Sequence, residues 1–315
     1  NTEVGRFDAS SCPFSSKTKP EIESSPKAVP DPRKATPDQT PSGQVLGFIP
    51  LSLFTPTPSL LHSVFQGKLT LLCAANTDAS FLIHHFLSFY LKAGCKVCFI
   101  AVVQLFSHYS IVAQKLGVSL TAAKERGQLV FLEGLKSSNE VLFAEQQEPA
   151  YANPFQFISR DGSDLKVLYE FVGKSLSPTS VGETWRCPVL IVDNLGVLLS
   201  LGVKLVDILD FIHYCRVTVN SQLKGNVVVM AHSREDSEDE ENERLVMSLR
   251  HQSHRLLWAE GLATGYCKDV HGQLTILQRS PWEAEAERDH PRIYQYKIQD
   301  RNVSFFARGM SAAVL

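Results

Sequence analysis

Residues 68–80 read KLTLLCAANTDAS and lead into the apolar run FLIHHFLSFYLKAG at 81–94. The first six residues predict a buried strand, the run from Phe81 predicts a helix, and residues 74–80 form the turn between them. Strand, turn and helix in this order frame a phosphate-binding loop, whose pattern GxxxxGK[ST] surrounds phosphates with backbone N–H groups and a lysine. The turn AANTDAS contains neither glycine nor lysine. It therefore predicts a degenerate P-loop, a scaffold without its phosphate-binding chemistry.

Four positions of this turn stand where the loop chemistry would be expected: Ala74, Asp78, Ala79 and Ser80. Side chains larger than glycine obstruct the close approach of a phosphate to the backbone. Asp78 would place a carboxylate at the positive end of the helix that begins near Ala79. We hypothesise that this internal anion replaces the phosphate and keeps the turn ordered.

A second motif ends at Asp193, after the apolar strand VLIV at 189–192. In P-loop proteins such a strand delivers a Mg²⁺-binding carboxylate, and the order and spacing of the two motifs fit a RecA-like core. Buried strands also end in Asp because an Asx turn begins the next loop, and without a phosphate loop this structural interpretation is favoured. A glutamate expected after the second strand is replaced by Val103 and Gln104. We therefore predict no catalytic residue and no cofactor.

Apolar segments alternate between strand and helix patterns along the middle of the chain. Strands are predicted at 68–73, 95–103, 127–135, 187–195 and 225–233, and helices at 81–94, 107–117, 164–176 and 205–219. Near-continuous apolar strands that alternate with helices predict an α/β fold with a mostly parallel sheet covered by helices on both faces.

The alternation of strand and helix patterns ends after His232. Residues 235–243 form an acidic run that is typical of a solvated loop. Further strand patterns follow at 253–266, 272–280, 293–299 and 303–309, and the last two are separated by a short polar loop. They predict a C-terminal antiparallel extension that ends in a hairpin.

Composition separates two regions. Ten of the sixteen prolines fall in the first 58 residues, so residues 1–60 are predicted to be a disordered Pro- and Ser-rich extension. Residues 61–315 are assigned to the α/β domain, and 44% apolar residues suffice for its core. The sequence contains no secretory-signal pattern and no apolar run near the ~20 residues that a bilayer requires, so we expect a soluble, intracellular protein.

Metal and nucleic-acid sites find little support in the residues alone. A net charge of −2 argues against bulk electrostatic binding of nucleic acid. The CxxC at Cys95 and Cys98 lies in a strand, where residues three apart face opposite sides, so packing is favoured over metal binding. The side chains of His84 and His85 diverge because the two are adjacent on a helix, and His251 and His254 lack a third ligand nearby, so no metal site is predicted. Late basic residues interleaved with aromatic ones fit either an RNA surface or strands packed on a core; they are Lys268, Arg279, Arg292, Arg301 and Arg308 with Tyr266, Tyr294, Tyr296, Phe305 and Phe306.

Long strings of the chain resemble one known family. They are GKLTLLC, FLSFYLKAGCKVCF, FSHYSIVAQKLGVSL, ERGQLVFLEGLKS, PVLIVDNLGVLLSLG, LDFIHYCR, EGLATGYCKDVHGQL and YQYKIQDRNVSFFARGMSAAVL. Over about residues 67–315 the chain resembles the family of the sixth subunit of the Elongator complex, in its vertebrate form. The resemblance does not extend before Gly67.

The resemblance implies a non-catalytic subunit with a RecA-like fold. In this family the fourth, fifth and sixth Elongator subunits form a hetero-hexameric ring that binds tRNA and supports the modification of wobble uridine to 5-carboxymethyl-type derivatives. The implied partners are the fourth and fifth subunits, the remaining Elongator subunits, and tRNA through the assembled ring, with no membrane. The implied location is cytoplasmic, with the nucleus as a second compartment.

Two other functions remain open at this point. One is an ATPase that completes its nucleotide site with residues from a neighbouring subunit. The other is an RNA-binding module that acts alone, for which a salt-dependent affinity of the isolated chain for tRNA would be the evidence.

Overall fold

The computed structural model describes residues 67–142, 153–159, 164–178, 185–233, 239–262, 265, 267–279 and 291–307. The disordered extension predicted for residues 1–60 lies outside these ranges. The described residues form one nine-stranded sheet with helices against it.

The first part of the described chain alternates strands and helices. Its elements are β1 (Leu69–Ala75), α1 (Ser80–Lys92), β2 (Lys96–Ala101), α2 (Phe106–Lys115), α3 (Leu120–Glu125), β3 (Leu129–Glu133), α4 (Gly134–Leu142), a 3₁₀ turn (Gln156–Ser159), α5 (Lys166–Leu176) and β4 (Pro188–Val192). The second part comprises α6 (Gly196–Ser200), α7 (Leu205–Cys215), a π-helix (Arg216–Gln222), β5 (Asn226–Ser233), α8 (Glu240–Gln252), β6 (Arg255–Glu260), β7 (Gly272–Gln278), β8 (Arg292–Ile298) and β9 (Val303–Ala307).

The strand order is β3-β2-β4-β5-β1-β6-β7-β8-β9. The six strands from β3 to β6 pair in parallel, and β7, β8 and β9 continue the sheet in antiparallel pairs. The predicted mostly parallel sheet with a C-terminal antiparallel extension and a final hairpin is therefore confirmed. The extension begins later than expected, because β6 pairs in parallel with β1.

Helices cover both faces of the sheet, as predicted. One core cluster joins the inner faces of α1, α2 and α3 to the sheet, and a second cluster joins α5, α7 and α8 to the opposite face. Both faces of β1 are apolar because this central strand is covered on each side, and all seven of its residues are buried. Cys95 and Cys98 belong to different clusters, so they do face opposite sides of the sheet.

Three predicted segments differ from the structure in their extent or type. The strand predicted at 127–135 ends at Glu133, where α4 begins. The helix predicted at 205–219 ends at Cys215 and continues as the π-helix. The acidic run is not all loop, because Glu240, Glu241 and Glu243 lie in the first turn of α8. Carboxylates are favoured there by the helix dipole, and Asp239 caps the helix by accepting the backbone N–H of Asn242 at 3.1 Å.

Within the described ranges, none of the helices has the length and apolar character needed to cross a bilayer. The cysteines of this part of the chain are free thiols, and five of the six are buried. The same residues contain no group of three or more His, Cys, Asp or Glu side chains arranged to hold a metal ion.

Candidate functional site

The turn between β1 and α1 lies at the carboxyl edge of the parallel strands, the edge where open α/β sheets bind ligands. Asn76 has φ of +50°, a left-handed conformation that Asn tolerates better than most residues. Its backbone N–H donates to the carbonyl oxygen of Ser233 at 3.4 Å. This contact ties the start of the turn to the neighbouring strand β5.

Asp78 provides an internal anion at the start of α1. Its Oδ1 accepts the backbone N–H of Ser80 at 2.8 Å, and its Oδ2 accepts the hydroxyl of the same residue at 3.1 Å. The first N–H group of the helix is thus directed at a carboxylate of the chain itself, where a P-loop would direct such groups at a phosphate. Ala79 occupies the N-cap position and makes no side-chain capping bond.

Ala74 and Ala79 are packed into the core. They are 1% and 0% exposed and lie in the same apolar cluster as Leu82 of α1. The methyl groups therefore fill space beside the turn that glycines would leave open for an approaching phosphate.

Asp193 follows β4 and is only 3% exposed. Its Oδ1 accepts the backbone N–H of Val102 at 2.9 Å. Its Oδ2 accepts the backbone N–H of Val103 at 3.0 Å and the hydroxyl of Tyr109 at 2.7 Å. Both carboxylate oxygens are thereby engaged in fastening the loop after β2 and the first turns of α2 to the end of β4.

Burial raises the pKa of Asp193 to about 6, while the hydrogen bonds from Val102, Tyr109 and Val103 act in the opposite direction. We therefore expect the carboxyl ¹³C resonance of Asp193 to titrate with a midpoint near pH 6. Tyr109→Phe should move this midpoint to higher pH, because it removes a hydrogen bond that favours the ionised form. Phe replaces Tyr with little change of shape, and a midpoint that stays the same would contradict the role given to the hydroxyl.

A cavity of about 210 Å³ separates the turn from Asp193. The described residues that line it are Asp78, Ser80, Ile83, His84, Val103, Gln104, His108, Tyr109, Asp193, Met230 and His232. This lining contains three histidines and no lysine or arginine. An incoming triphosphate would meet two carboxylates without a permanent cation among these side chains to offset them.

His84 is a second buried polar residue of this cavity beside Asp193, with 7% of its surface exposed. Its ring lies 5.1 Å from that of Tyr109 and 5.4 Å from that of His108. Its Nδ1 has no hydrogen-bond partner among the described residues. Burial, followed by the nearby His108 and His85, lowers the pKa of His84 to about 4, so the ring is neutral at pH 7.

The residues at the ends of β2 and β3 include one acid that the sequence prediction did not single out. Val103 and Gln104 follow β2, and Val103 is 39% exposed. The sequence analysis missed Glu133, the last residue of β3, whose Oε1 accepts the backbone N–H of Phe106 at 2.8 Å. An acid at the end of an apolar strand was the available signal, and here it caps the start of α2.

Some of the basic and aromatic residues near the C-terminus that the sequence analysis singled out are packed in the core. Tyr296 is 1% exposed, and its ring lies 4.9 Å from that of Phe81. The half-buried neighbour Lys297 donates to Asp269 at 2.8 Å. Packing on α1 therefore accounts for Tyr296. Tyr266 and Arg308 of the same set lie outside the described residues.

Comparison with known proteins gives consistent matches. The family model described as "Elongation complex protein 6" matches residues 57–300, a range that begins earlier than Gly67. Elongator complex protein 6 of Rattus norvegicus is 65% identical over 252 residues, which cover 79% of this chain and 94% of that protein. The protein of the same name from Danio rerio is 48% identical over 255 residues and is covered to 93%.

Among solved structures, an uncharacterized protein from Pyrococcus horikoshii in complex with an unknown peptide gives a TM-score of 0.47 at 11% identity, covering 77% of this chain and 93% of that one. The family model and the two related proteins confirm the family predicted from the long sequence strings. The chain belongs to the Elongator complex protein 6 family.

Proposed function

We propose that this chain is a non-catalytic, RecA-like subunit of the Elongator complex that works by assembly. In this proposal it joins the fourth and fifth subunits in a hetero-hexameric ring, and the ring binds tRNA and supports the modification of wobble uridine. Membership of the family supports the place in Elongator. The parallel strand order around β1 and the turn before α1 support a RecA-like origin. The proposed location is the cytoplasm, with the nucleus as a second compartment.

The arrangement of Asp193 is the observation that carries the non-catalytic part of the proposal. A Mg²⁺-binding carboxylate needs a free oxygen that faces the nucleotide. Both oxygens of Asp193 accept hydrogen bonds from the chain, and the residue is 3% exposed. Asp78 adds a negative charge where the phosphates would lie, and it engages the first N–H of α1.

An ATPase that borrows residues from a neighbour would still need this edge to receive a phosphate. A borrowed arginine or lysine could supply positive charge, but it would leave Asp78 and the packed methyl groups of Ala74 and Ala79 in place. We therefore expect no ATP binding at micromolar concentration by the chain or by the assembled ring at this turn. Isothermal titration calorimetry with ATP and Mg²⁺ measures it, and a dissociation constant on the order of 10 µM that is weakened by Ser80→Glu, which adds negative charge at this turn, would favour the ATPase.

An exposed apolar surface beside the cavity suits a permanent neighbour. Val103, Leu105 and Ile111 are 39%, 49% and 59% exposed. They lie in the loop after β2 and on α2, next to the edge at which RecA-like domains meet head to tail. Large apolar side chains at this exposure favour burial against another protein.

Co-expression with the fourth and fifth subunits tests the assembly. We expect the three chains to be recovered in equal amounts, and Ile111→Asp to reduce recovery at least tenfold because it places a charge in the interface. Met247→Asp, at a 47% exposed position on α8, is the matched control and should leave recovery unchanged. Equal recovery with both variants would contradict the proposed contact surface, and failure of wild-type chains to associate would contradict the ring.

RNA binding is tested separately by the mobility shift of tRNA. We expect a shift with the purified assembly and none with the single chain at the same concentration and ionic strength. A salt-dependent shift with the single chain would favour the module that acts alone. An assembly that forms and leaves tRNA unshifted would keep the scaffold and contradict the RNA-binding part.

A further inference from the structure

A groove of about 370 Å³ runs between α5 and α7. Its described lining consists of Asp164, Leu165, Lys166, Tyr169, Asp207, Asp210, Phe211 and Tyr214. Both helices belong to the core cluster on the opposite face of the sheet from α1 and α2. The groove is therefore separate from the cavity beside Asp193.

The charge in this groove is predominantly negative. Asp164, Asp207 and Asp210 contribute carboxylates, whereas the only cation of its described lining is Lys166, which faces Glu170 at 3.9 Å. The Oδ2 atom of Asp207 is shielded from solvent and has no hydrogen-bond partner among the described residues. A shielded carboxylate oxygen without a donor is costly, so the carboxylate of Asp207 would gain by turning toward a cationic donor that enters the groove.

Aromatic rings complete the lining and are held in place. The hydroxyl groups of Tyr169 and Thr218 lie 2.8 Å apart, which fastens α5 to the π-helix that follows α7. The ring of Tyr169 lies 5.9 Å from that of Tyr214 at an angle of 53°, and Tyr214 is 56% exposed. An exposed, positioned tyrosine face attracts a cation placed over it.

We propose that this groove binds an arginine side chain presented by another protein. A planar guanidinium can stack on a tyrosine ring while its N–H groups donate to carboxylates, and a lysine ammonium lacks that planar geometry. A protein source is favoured over a free cation because Val206, 64% exposed, lies on the same side of α7 as Asp210 and Tyr214 at four-residue spacing. Exposed apolar and tyrosine side chains beside a site for arginine fit a protein interface, because interfaces are enriched in Tyr and Arg. The proposal does not depend on the hetero-hexameric assembly proposed above.

Fluorine NMR of the full chain labelled with 3-fluorotyrosine tests the proposal directly. Tyr169→Phe and Tyr214→Phe assign the two resonances of interest among the eight tyrosines of the chain. The probe is the capped peptide acetyl-Gly-Arg-Gly-amide, and the matched peptides carry citrulline or lysine in place of arginine. We expect both resonances to move with the arginine peptide, with half-saturation on the order of 1 mM. Citrulline keeps the shape without the charge and should produce no movement.

Two charge-neutralising variants separate the groove from general surface charge. Asp207→Asn should weaken binding about tenfold, and Glu125→Gln, at an exposed position on α3, should leave it unchanged. An unchanged far-UV spectrum and melting temperature of the Asp207 variant would show that it folds. Unmoved tyrosine resonances, an equal response to citrulline, an equal affinity for lysine, or wild-type binding by Asp207→Asn would each overturn the proposal.

Discussion

Asp193→Ala is expected to destabilise the folded chain by about 3 kcal/mol at pH 7. The variant leaves the backbone N–H groups of Val102 and Val103 and the hydroxyl of Tyr109 without their acceptor. Tyr109 is 4% exposed, so water cannot readily replace the lost partner. Urea unfolding followed by circular dichroism measures the change in the free energy of unfolding.

The loss should be larger at pH 5 than at pH 7. Burial raises the pKa of Asp193 from 3.8 to about 6, so the folded state binds this proton more tightly than the unfolded state. The stabilisation that the folded chain gains from this tighter proton binding is fully present below pH 4 and declines as the pH rises through 6. Alanine does not titrate, so the difference between the two proteins should shrink over that window.

Asp239→Ala is the control that measures the cost of removing an exposed aspartate. Asp239 caps α8 through an exposed contact, and its replacement should cost about 1 kcal/mol. If Asp193→Ala were as stable as the wild type, or more stable, the carboxylate would have to be a strained ligand held for a metal. That outcome would support nucleotide chemistry at this edge of the sheet.

The sheet could be predicted because its strands are covered on both faces. Continuous apolar runs such as VLIV at 189–192 identify such strands directly, and the two-residue period of a strand places Cys95 and Cys98 on opposite sides. The helix α8 was missed for the opposite reason. Only Leu245, Val246 and Leu249 of its thirteen residues are buried apolar side chains, and its acidic first turn resembles a loop in composition.

The role of Asp193 could not be predicted from its neighbours in sequence. Its donors come from Val102, Val103 and Tyr109, which lie 84 to 91 residues away. A strand that ends in Asp is compatible with a metal ligand and with a loop fastener, and only the contacts across the sheet distinguish the two. The carboxylate at the start of α1 was easier to anticipate, because Asp78 and Ser80 are two residues apart.

The buried His84 is expected to make the stability of the chain depend strongly on acidic pH. Burial lowers its pKa from 6.5 to about 4, so the folded state binds this proton less tightly than the unfolded state. The neutral ring contributes its full share of the folding stability above pH 6.5. This share is lost as the pH falls, and the loss reaches about 3 kcal/mol at pH 4. His84→Phe removes the titration and keeps a ring beside Tyr109, so the variant should match the wild type within about 1 kcal/mol at pH 7 and exceed its stability at pH 4.5.

Urea unfolding at half-unit steps from pH 7.5 to 4.5 measures both curves. The wild-type curve should fall more steeply than that of His84→Phe below pH 6.5, and His213→Gln, at an exposed position on α7, should follow the wild type. A remaining slope in the variant is expected, because burial also lowers the pKa of His85. Parallel curves would mean that His84 takes up a proton as readily in the folded chain as in the unfolded one. The packing around the ring of His84 would then have to admit water, which is the condition that a phosphate site at this edge would require.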